Sequence, residues 1–267
     1  MIRLHEAKML QILHQSLTKS LPEAMKVYGS IFHINRGNPF NLEVLVGSWP
    51  DYETVITWPQ KQQMIDDKNY YTNSYHIFSK DLQKSETLGY DNIINWRQTL
   101  IQGYQKGLNA KIRDVVASKS LQLNYSKRFL YITDNVLKSI TSNTGKIADN
   151  TSDFALDVSH AELMNNTKFG QNERNLRFIR HCLQNFPGYC MLGPEGNPIS
   201  WIVMEQTSEL RMSYTLPEYG RGLQVIDECF SAYLQKYNMP FCIHVVELNE
   251  SQQDQSHLPD CGWHEWK

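Results

Sequence analysis

The feature that most constrains this chain is a run of three short apolar strands followed by a glycine-bearing loop and a helix. The strands are predicted at "YCMLG", "ISWIVMEQ" and "ELRMSYTL", and the segments between them, "PEGNP" and "TS", have the length and composition of hairpin turns. After "TLPEYGRGL" an amphipathic helix is predicted, and "FCIHVVEL" is predicted as the closing strand. The pattern therefore predicts an antiparallel meander that leads into a β-loop-α-β unit.

The glycine-bearing loop is a candidate anion site. A strand that enters a helix through such a loop leaves backbone N–H groups at the helix N-terminus, where a phosphate can bind. Gly220 and Gly222 allow the backbone to approach a ligand closely, and Arg221 can add charge-assisted hydrogen bonds. These residues alone do not specify the ligand, because glycine and arginine before a helix occur in many kinds of site.

The N-terminal part of the chain has the pattern of a βαβ unit. Residues 26–34 ("KVYGSIFHI") alternate like a strand, Asn38 and Pro39 are typical of the start of a helix over "GNPFNLEVLVGSW", and "YETVITWP" alternates again. A strand at "YYTNSYHIFSK", a long helix over 90–118 and a strand at "LQLNYSKRFLYIT" are predicted to follow. This part contains no recognisable chemistry of its own.

A polar segment divides the chain into two predicted domains. Residues 139–152 lack hydrophobic periodicity and are interpreted as a linker between a first domain over 1–138 and a second over 153–267. The second domain is predicted to begin with a strand at "DFALDVSHA" and a helix at "NERNLRFIRHCLQNF", ahead of the meander.

Composition excludes several classes of protein. A chain of 267 residues with 41% hydrophobic content can bury a core, and its net charge of −2 and pI of about 6.5 argue against a nucleic-acid partner. No segment reaches the roughly 18 apolar residues of a membrane-spanning helix, so no membrane span is expected. The histidines have no metal-binding spacing and the five cysteines no CxxC spacing, so we expect no metal site and interpret the cysteines as free thiols.

The first residues allow two interpretations. The segment 1–23 carries Arg3, Lys8 and Lys19 and has apolar residues at helical spacing. This pattern is typical of an amphipathic mitochondrial address, and equally of an ordinary first helix packed on its own domain.

Six stretches spread over nearly the whole chain resemble the glycine N-acyltransferases and their paralogues. They are "KVYGSIFHINRGNPFNLEVLV", "YYTNSYHIFSKD", "LDVSHAELMN", "FGQNERNLRFIRHCLQNFP", "MLGPEGNPISWIVMEQTSELRMSYTLPEY" and "CGWHEWK". The resemblance implies an α/β (α+β) fold with two GCN5-related acetyltransferase-like domains, the first degenerate and the second catalytic. Each would contain a mixed, mostly antiparallel sheet flanked by helices.

The resemblance also implies an activity. The family transfers an acyl group from acyl-coenzyme A, a co-substrate rather than a prosthetic group, to the amino group of glycine or a similar small amino acid. We expect a monomeric protein in mitochondria, with the cytoplasm or the endoplasmic reticulum as the alternative location.

The same resemblance assigns candidate site residues. The catalytic base of the family is a glutamate in the connection before the fourth strand, and it matches Glu209 rather than Glu205 on the preceding strand. From the residues alone, Glu209 is more readily interpreted as a solvent-exposed hairpin glutamate than as a base. Arg211 is a candidate partner of the substrate carboxylate, or else an arginine on the strand surface. Acyl-coenzyme A binding is predicted for Thr215, Leu216, Gly220, Arg221, Gly222, Leu223 and Asn249.

Two departures from the family pattern keep an alternative open. The family places three residues between the tyrosine and the "GL" pair, whereas only Gly220 and Arg221 separate Tyr219 from Gly222 here. After "HVVELNES" the chain has "QQDQSHLPD" instead of the usual amphipathic helix. The alternative is a catalytically silent family member that binds acyl-coenzyme A or a protein partner.

Overall fold

The computed structural model describes residues 2–60, 73–82, 93–94, 96, 100–103, 105, 107–123, 128–133, 155–167, 172–219, 242–247 and 264–265. For residues 128–133, 242–247 and 264–265 it describes the backbone alone. Contacts divide the chain into two units. Unit 1 comprises residues 1–125 together with 206–208, and unit 2 comprises residues 126–205 and 209–267.

Unit 1 is built on a five-stranded sheet in the order β1-β2-β3-β4-β5, antiparallel except for the parallel pair of β4 and β5. Its elements are β1 (Ile2–Leu4), α1 (Ala7–Leu17), α2 (Met25–Ile34), β2 (Leu42–Val46), β3 (Thr54–Pro59), β4 (Ser74–Ser79), β5 (Leu100–Gln102) and α3 (Leu108–Ser118). Ile56 and Ile77 of the central strands join an apolar cluster with α3. Thr57 and His76, which alternate with them, face α2, so helices cover both faces of the sheet.

Two elements of unit 1 differ from the sequence-based prediction. Residues 26–34 form helix α2 rather than a strand, and residues 25–33 of this helix are all buried. A short apolar segment buried on every side has no period that separates helix from strand. The predicted helix after Asn38 is instead a turn followed by β2, because Asn38 has a left-handed φ of 48° and its side-chain amide bonds both backbone groups of Leu42 at 2.8 Å. An N-cap residue needs extended backbone, which Asn38 does not have.

The predicted helix over 90–118 is also wrong in part. Residues 100–102 form β5, and α3 begins only at Leu108. Gly107 precedes α3 with a φ of 89°, a left-handed conformation that ends any right-handed helix. The strands predicted at "YETVITWP", "YYTNSYHIFSK" and "LQLNYSKRFLYIT" are confirmed as β3, β4 and β6 (Arg128–Thr133).

Unit 2 is built on a seven-stranded sheet in the order β12-β6-β11-β10-β9-β8-β7, and among these described strands only β10 and β11 pair in parallel. Its elements are β6, β7 (Ala155–Leu156), α4 (Ala161–Asn165), α5 (Glu173–Asn185), β8 (Gly188–Leu192), β9 (Pro198–Met204), β10 (Glu209–Thr215), β11 (Cys242–Glu247) and β12 (His264–Glu265). The predicted meander is confirmed as β8, β9 and β10. The two sheets with their flanking helices confirm the α/β (α+β) class.

The strand predicted at "DFALDVSHA" is shorter than expected. Strand β7 ends at Leu156 because Asp157 forms a capping box with the turn Val158–His160. The Asp157 carboxylate accepts from the Ser159 N–H at 2.8 Å, and the Asp157 N–H donates to His160 Nδ1 at 3.1 Å.

Strand β6 pairs with β11 in this sheet, although the predicted first domain extends to residue 138. The predicted linker, residues 139–152, lies outside the described residues and stays a prediction.

Helix α1 of unit 1 carries a histidine that makes stability depend on pH. The His14 ring stacks on Tyr28 at 3.9 Å between ring centroids, and its buried Nε2 has no hydrogen-bond partner among the described residues. Burial, aided by the charge of Arg36, lowers the pKa of His14 from 6.5 to about 4. Protonation therefore favours the unfolded chain, so the contribution of His14 to stability is present above pH 6.5 and is lost as the pH falls through 4.

Between pH 6.5 and pH 4 we expect protonation of His14 to lower the free energy of unfolding by about 1 to 3 kcal/mol. The lower value is expected because the ring is only partly buried. The substitution His14→Phe keeps the stack and removes the titration. Urea unfolding at pH 7 and pH 4.5 should show a smaller pH-dependent loss in this variant than in the parent protein. His5→Phe, at an exposed position of the same unit, is the control. An equal pH dependence in the parent and in His14→Phe would contradict this assignment.

Candidate functional site

The connection between β9 and β10 positions the candidate base. It is a tight turn closed by a hydrogen bond from the Glu205 N–H to the Glu209 carbonyl at 2.9 Å, with Ser208 in a left-handed conformation at a φ of 63°. Every residue of 205–209 is at most 2% exposed. The alternative of a solvent-exposed hairpin glutamate at Glu209 is therefore wrong.

The middle of this turn, residues 206–208, belongs to unit 1 and contacts α2. Lys26 Nζ donates to Thr207 Oγ1 at 2.9 Å, and Ser208 Oγ lies 3.0 Å from His33 Nε2. Between these two residues on the helix is Gly29, where a Cβ atom would lie 1.9 Å from the Thr207 carbonyl oxygen. The absence of a side chain at Gly29 thus permits the close approach of the turn backbone to α2.

In unit 2, two carboxylates flank one guanidinium beside this turn. Arg211 Nη1 donates to Glu205 Oε2 at 3.1 Å, and Arg211 Nε lies 3.6 Å from Glu209 Oε1. The side chains of both glutamates are 3% exposed, whereas that of Arg211 is 22% exposed. Arg211, the candidate partner of a substrate carboxylate, is therefore already paired with carboxylates of its own chain.

Helix α5 adds a thiol to this cluster. Burial, together with the negative charge of Glu205, raises the pKa of Cys182 well above its usual value, against the opposing charge of Arg211. Cys182 is therefore a neutral thiol at physiological pH and not a nucleophile. The cysteines Cys182 and Cys190 are free, as predicted, and no metal-binding cluster occurs among the residues that the structure describes.

Strand β10 pairs unevenly with its two neighbours. It pairs with β9 from Leu210 to Thr215, with a register shift between Arg211 and Tyr214 and a left-handed Met212 at a φ of 57°. Among the described residues, only Glu209 and Leu210 pair with β11. Within the described part of the chain, the second half of β10 therefore has no ladder partner on its β11 side.

The predicted contacts at the end of β10 fall on residues with internal bonds. The Leu216 N–H donates to the Ile199 carbonyl at 2.9 Å, and the Leu216 carbonyl accepts from the Tyr219 N–H at 3.0 Å. The hydroxyl oxygens of Thr215 and Ser200 lie 2.6 Å apart. Because successive residues of a strand direct their backbone groups to opposite sides, the backbone of Thr215 is the better candidate for a ligand on the β11 side.

The remaining predicted residues, Gly220, Arg221, Gly222, Leu223 and Asn249, lie outside the described residues, and their roles stay predictions. The turn Pro217–Tyr219 that leads into the loop is described, and Tyr219 is 47% exposed. No helix in the described part of the chain is long and apolar enough to cross a membrane.

Sequence reasoning missed the pairing of Arg211 with Glu205 and Glu209 and the contacts of α2 with the turn. The spacing of Glu209 and Arg211 was a usable signal, since residues two apart on a strand share a face. No signal in the sequence connects Lys26 or His33 with residues 207 and 208, which lie about 180 positions further along the chain.

Comparison with known families decides the class of the chain. Residues 1–187 match the family described as aralkyl acyl-CoA:amino acid N-acyltransferase, and residues 189–267 match the C-terminal region of the same family. The chain belongs to this family. It is accordingly an acyltransferase with acyl-coenzyme A as the family's acyl donor.

Individual relatives agree with this assignment. The chain is 50% identical to human "Glycine N-acyltransferase-like protein 2", covering 100% of this chain and 98% of the relative. It is 44% identical to human "Glycine N-acyltransferase", with the same coverage, and 43% identical to the rat protein of that name, covering 99% of this chain and 98% of the relative. An X-ray structure of a Drosophila protein has a TM-score of 0.73 at 14% identity, over 99% of this chain and 94% of that one, which shows similarity of fold alone.

Proposed function

We propose that this acyltransferase conjugates glycine or another small amino acid by direct transfer of an acyl group from acyl-coenzyme A, with Glu209 as the general base. The observation that supports this proposal is the buried Glu209 carboxylate at the start of β10, paired with Arg211. A carboxylate kept out of bulk water beside a cation can act on a substrate without competition from solvent.

The chemistry requires removal of a proton before attack. An amino acid at neutral pH is an ammonium ion, and its nitrogen has no lone pair until one proton leaves. Glu209 accepts that proton, the amine attacks the thioester carbonyl, and collapse of the tetrahedral adduct breaks the C–S bond. The second proton lost by the nitrogen converts the departing thiolate to the thiol of coenzyme A. The first proton, held by Glu209, is released to water, which restores the carboxylate. No covalent enzyme intermediate forms.

Acyl-coenzyme A is proposed to bind along the second half of β10 and at the loop that follows it. Thr215 and the open side of β10 would contact the pantetheine arm, and Gly220 to Leu223 would hold the pyrophosphate. The N–H and the carbonyl of Leu216 are both hydrogen-bonded within the chain, so Leu216 would contribute mainly through its side chain. Asn249 is proposed to contact acyl-coenzyme A from the C-terminal segment.

The test has a binding part and a turnover part. Calorimetry with acetyl-coenzyme A and benzoyl-coenzyme A should give saturable binding of at least one, and addition of glycine should release the coenzyme A thiol and form the N-acylated amino acid, identified by mass. Binding without turnover for glycine and a panel of other amino acids would favour the catalytically silent alternative. A folded protein that binds neither thioester would overturn the proposal for these donors and favour a role in partner binding.

The location and oligomeric state are proposed from the sequence resemblance alone. We propose a mitochondrial monomer, with the cytoplasm or endoplasmic reticulum as the alternative. Helix α1 has three buried leucines, Leu10, Leu13 and Leu17. A mitochondrial targeting signal in this segment would therefore have to be recognised before the protein folds, and it would not be cleaved off afterwards. Imaging of a C-terminal fluorescent fusion and light scattering after size exclusion test the two proposals separately.

A further inference from the structure

We propose that Arg211 and Glu205 form a positioning pair for the base, in which Glu205 holds the guanidinium and the guanidinium orients the Glu209 carboxylate. This inference rests on the proposed function of Glu209. It assigns Arg211 a role in turnover rather than in binding the carboxylate of the amino acid.

The backbone brings the three side chains together. Glu205 and Glu209 are joined across the turn by the hydrogen bond between the Glu205 N–H and the Glu209 carbonyl. Arg211 follows Glu209 by two positions on β10 and therefore lies on the same face of the strand. The register shift follows Arg211, so the alternation holds from Glu209 to Arg211. The three charged groups are thus placed by one hairpin.

The two ion pairs are unequal. The Arg211 Nη1 to Glu205 Oε2 distance of 3.1 Å is that of a charge-assisted hydrogen bond, whereas 3.6 Å between Arg211 Nε and Glu209 Oε1 is too long for one. A tight hydrogen bond from Arg211 to the base would oppose its protonation, which the reaction requires. Glu205 takes the close contact, so Arg211 attracts and orients Glu209 Oε1 at a longer distance.

Burial makes the arrangement consequential. Two carboxylates that are 3% exposed are unfavourable to bury unless a cation compensates their charge. Arg211 is a cation in contact with both carboxylates. The Cys182 thiol on α5 is a further titratable group of this cluster. Within unit 1, Lys26 and His33 of α2 bond the turn at Thr207 and Ser208.

The test separates positioning from substrate binding. Arg211→Met is expected to lower kcat about 10- to 100-fold, because a misdirected base loses most of its advantage. The KM for the amino acid should change less than about threefold, since no substrate contact is removed. Arg211→Lys should restore part of kcat, because it keeps the charge.

The pH profile gives a signature that a purely structural role would not produce. The acid limb of kcat/KM should move to higher pH in Arg211→Met, which removes a cation beside the base, and to lower pH in Glu205→Gln, which removes an anion. Arg180→Met is the matched control, because it removes an arginine from an exposed ion pair, with 3.0 Å between Arg180 Nη2 and Glu162 Oε1. This variant should change neither kcat nor the acid limb of kcat/KM.

Three results would overturn the inference. A raised KM for the amino acid at unchanged kcat would assign Arg211 to the substrate carboxylate. Unchanged kinetics in Arg211→Met, with a normal melting temperature, would make it a surface arginine. Shifts of the acid limb in the same direction in Arg211→Met and Glu205→Gln would indicate that both substitutions distort the site. If Arg211→Met does not fold, the same comparison is made between Glu205→Gln and Arg211→Lys. A fully active Glu209→Gln would instead refute the proposed function.

Discussion

Replacement of Glu209 by glutamine is expected to lower kcat about 10²- to 10⁴-fold, the usual contribution of a general base. The rate falls because glutamine cannot accept the ammonium proton. Glutamine has nearly the same shape as glutamate, so acyl-coenzyme A binding measured by calorimetry should be unchanged. The rate should recover in part at high pH, where more of the amino acid is already a free amine.

Two further variants give this result its meaning. Glu195→Gln makes the same substitution in the exposed turn between β8 and β9, and it should leave kcat unchanged. Glu209→Asp keeps the charge and shortens the side chain, so an intermediate rate is expected. Full turnover in Glu209→Gln at neutral pH would refute the role of this carboxylate. Loss of thioester binding together with turnover would show that the substitution acts on the fold of the site.

Replacement of Gly29 by alanine is expected to destabilise unit 1 by about 1 to 3 kcal/mol or more, the range for overpacking a buried contact. The added Cβ would lie 1.9 Å from the Thr207 carbonyl oxygen and 2.6 Å from its carbon. Both are backbone atoms that cannot rotate away. Alanine gains only about 1 kcal/mol over glycine in helix propensity, so the clash is the larger effect.

The measurement is the free energy of unfolding from urea titration, with kcat as a second readout. Because Glu209 follows Thr207 by two residues, a displaced turn also moves the backbone of the base, and kcat should fall with stability. Gly47→Ala is the matched control, since its nearest neighbour would be the Thr54 nitrogen at 3.9 Å. Equal stability of Gly29→Ala and Gly47→Ala would mean that α2 and the turn separate at little cost.

The local signals of unit 2 were sufficient to predict its meander. Short turns such as "PEGNP" and "TS" allow only hairpins, and the strands between them are long enough to be unambiguous. The N-terminal βαβ prediction was wrong for the opposite reason. Nearly every residue of α2 is buried, so its hydrophobic pattern shows neither the helical nor the strand period. Asn38 stabilises a turn and does not cap a helix.

By itself, the sequence determined the class of the protein, the order of strands in the meander and the identity of Glu209 as the candidate base, because these depend on local pattern and on family motifs. Only the tertiary structure decided that this glutamate is buried, that it shares Arg211 with Glu205, and that Lys26, Gly29 and His33 of α2 contact the preceding turn. Burial and charge pairing are set by atoms brought together from positions about 180 residues apart. No period or spacing in the chain records those contacts.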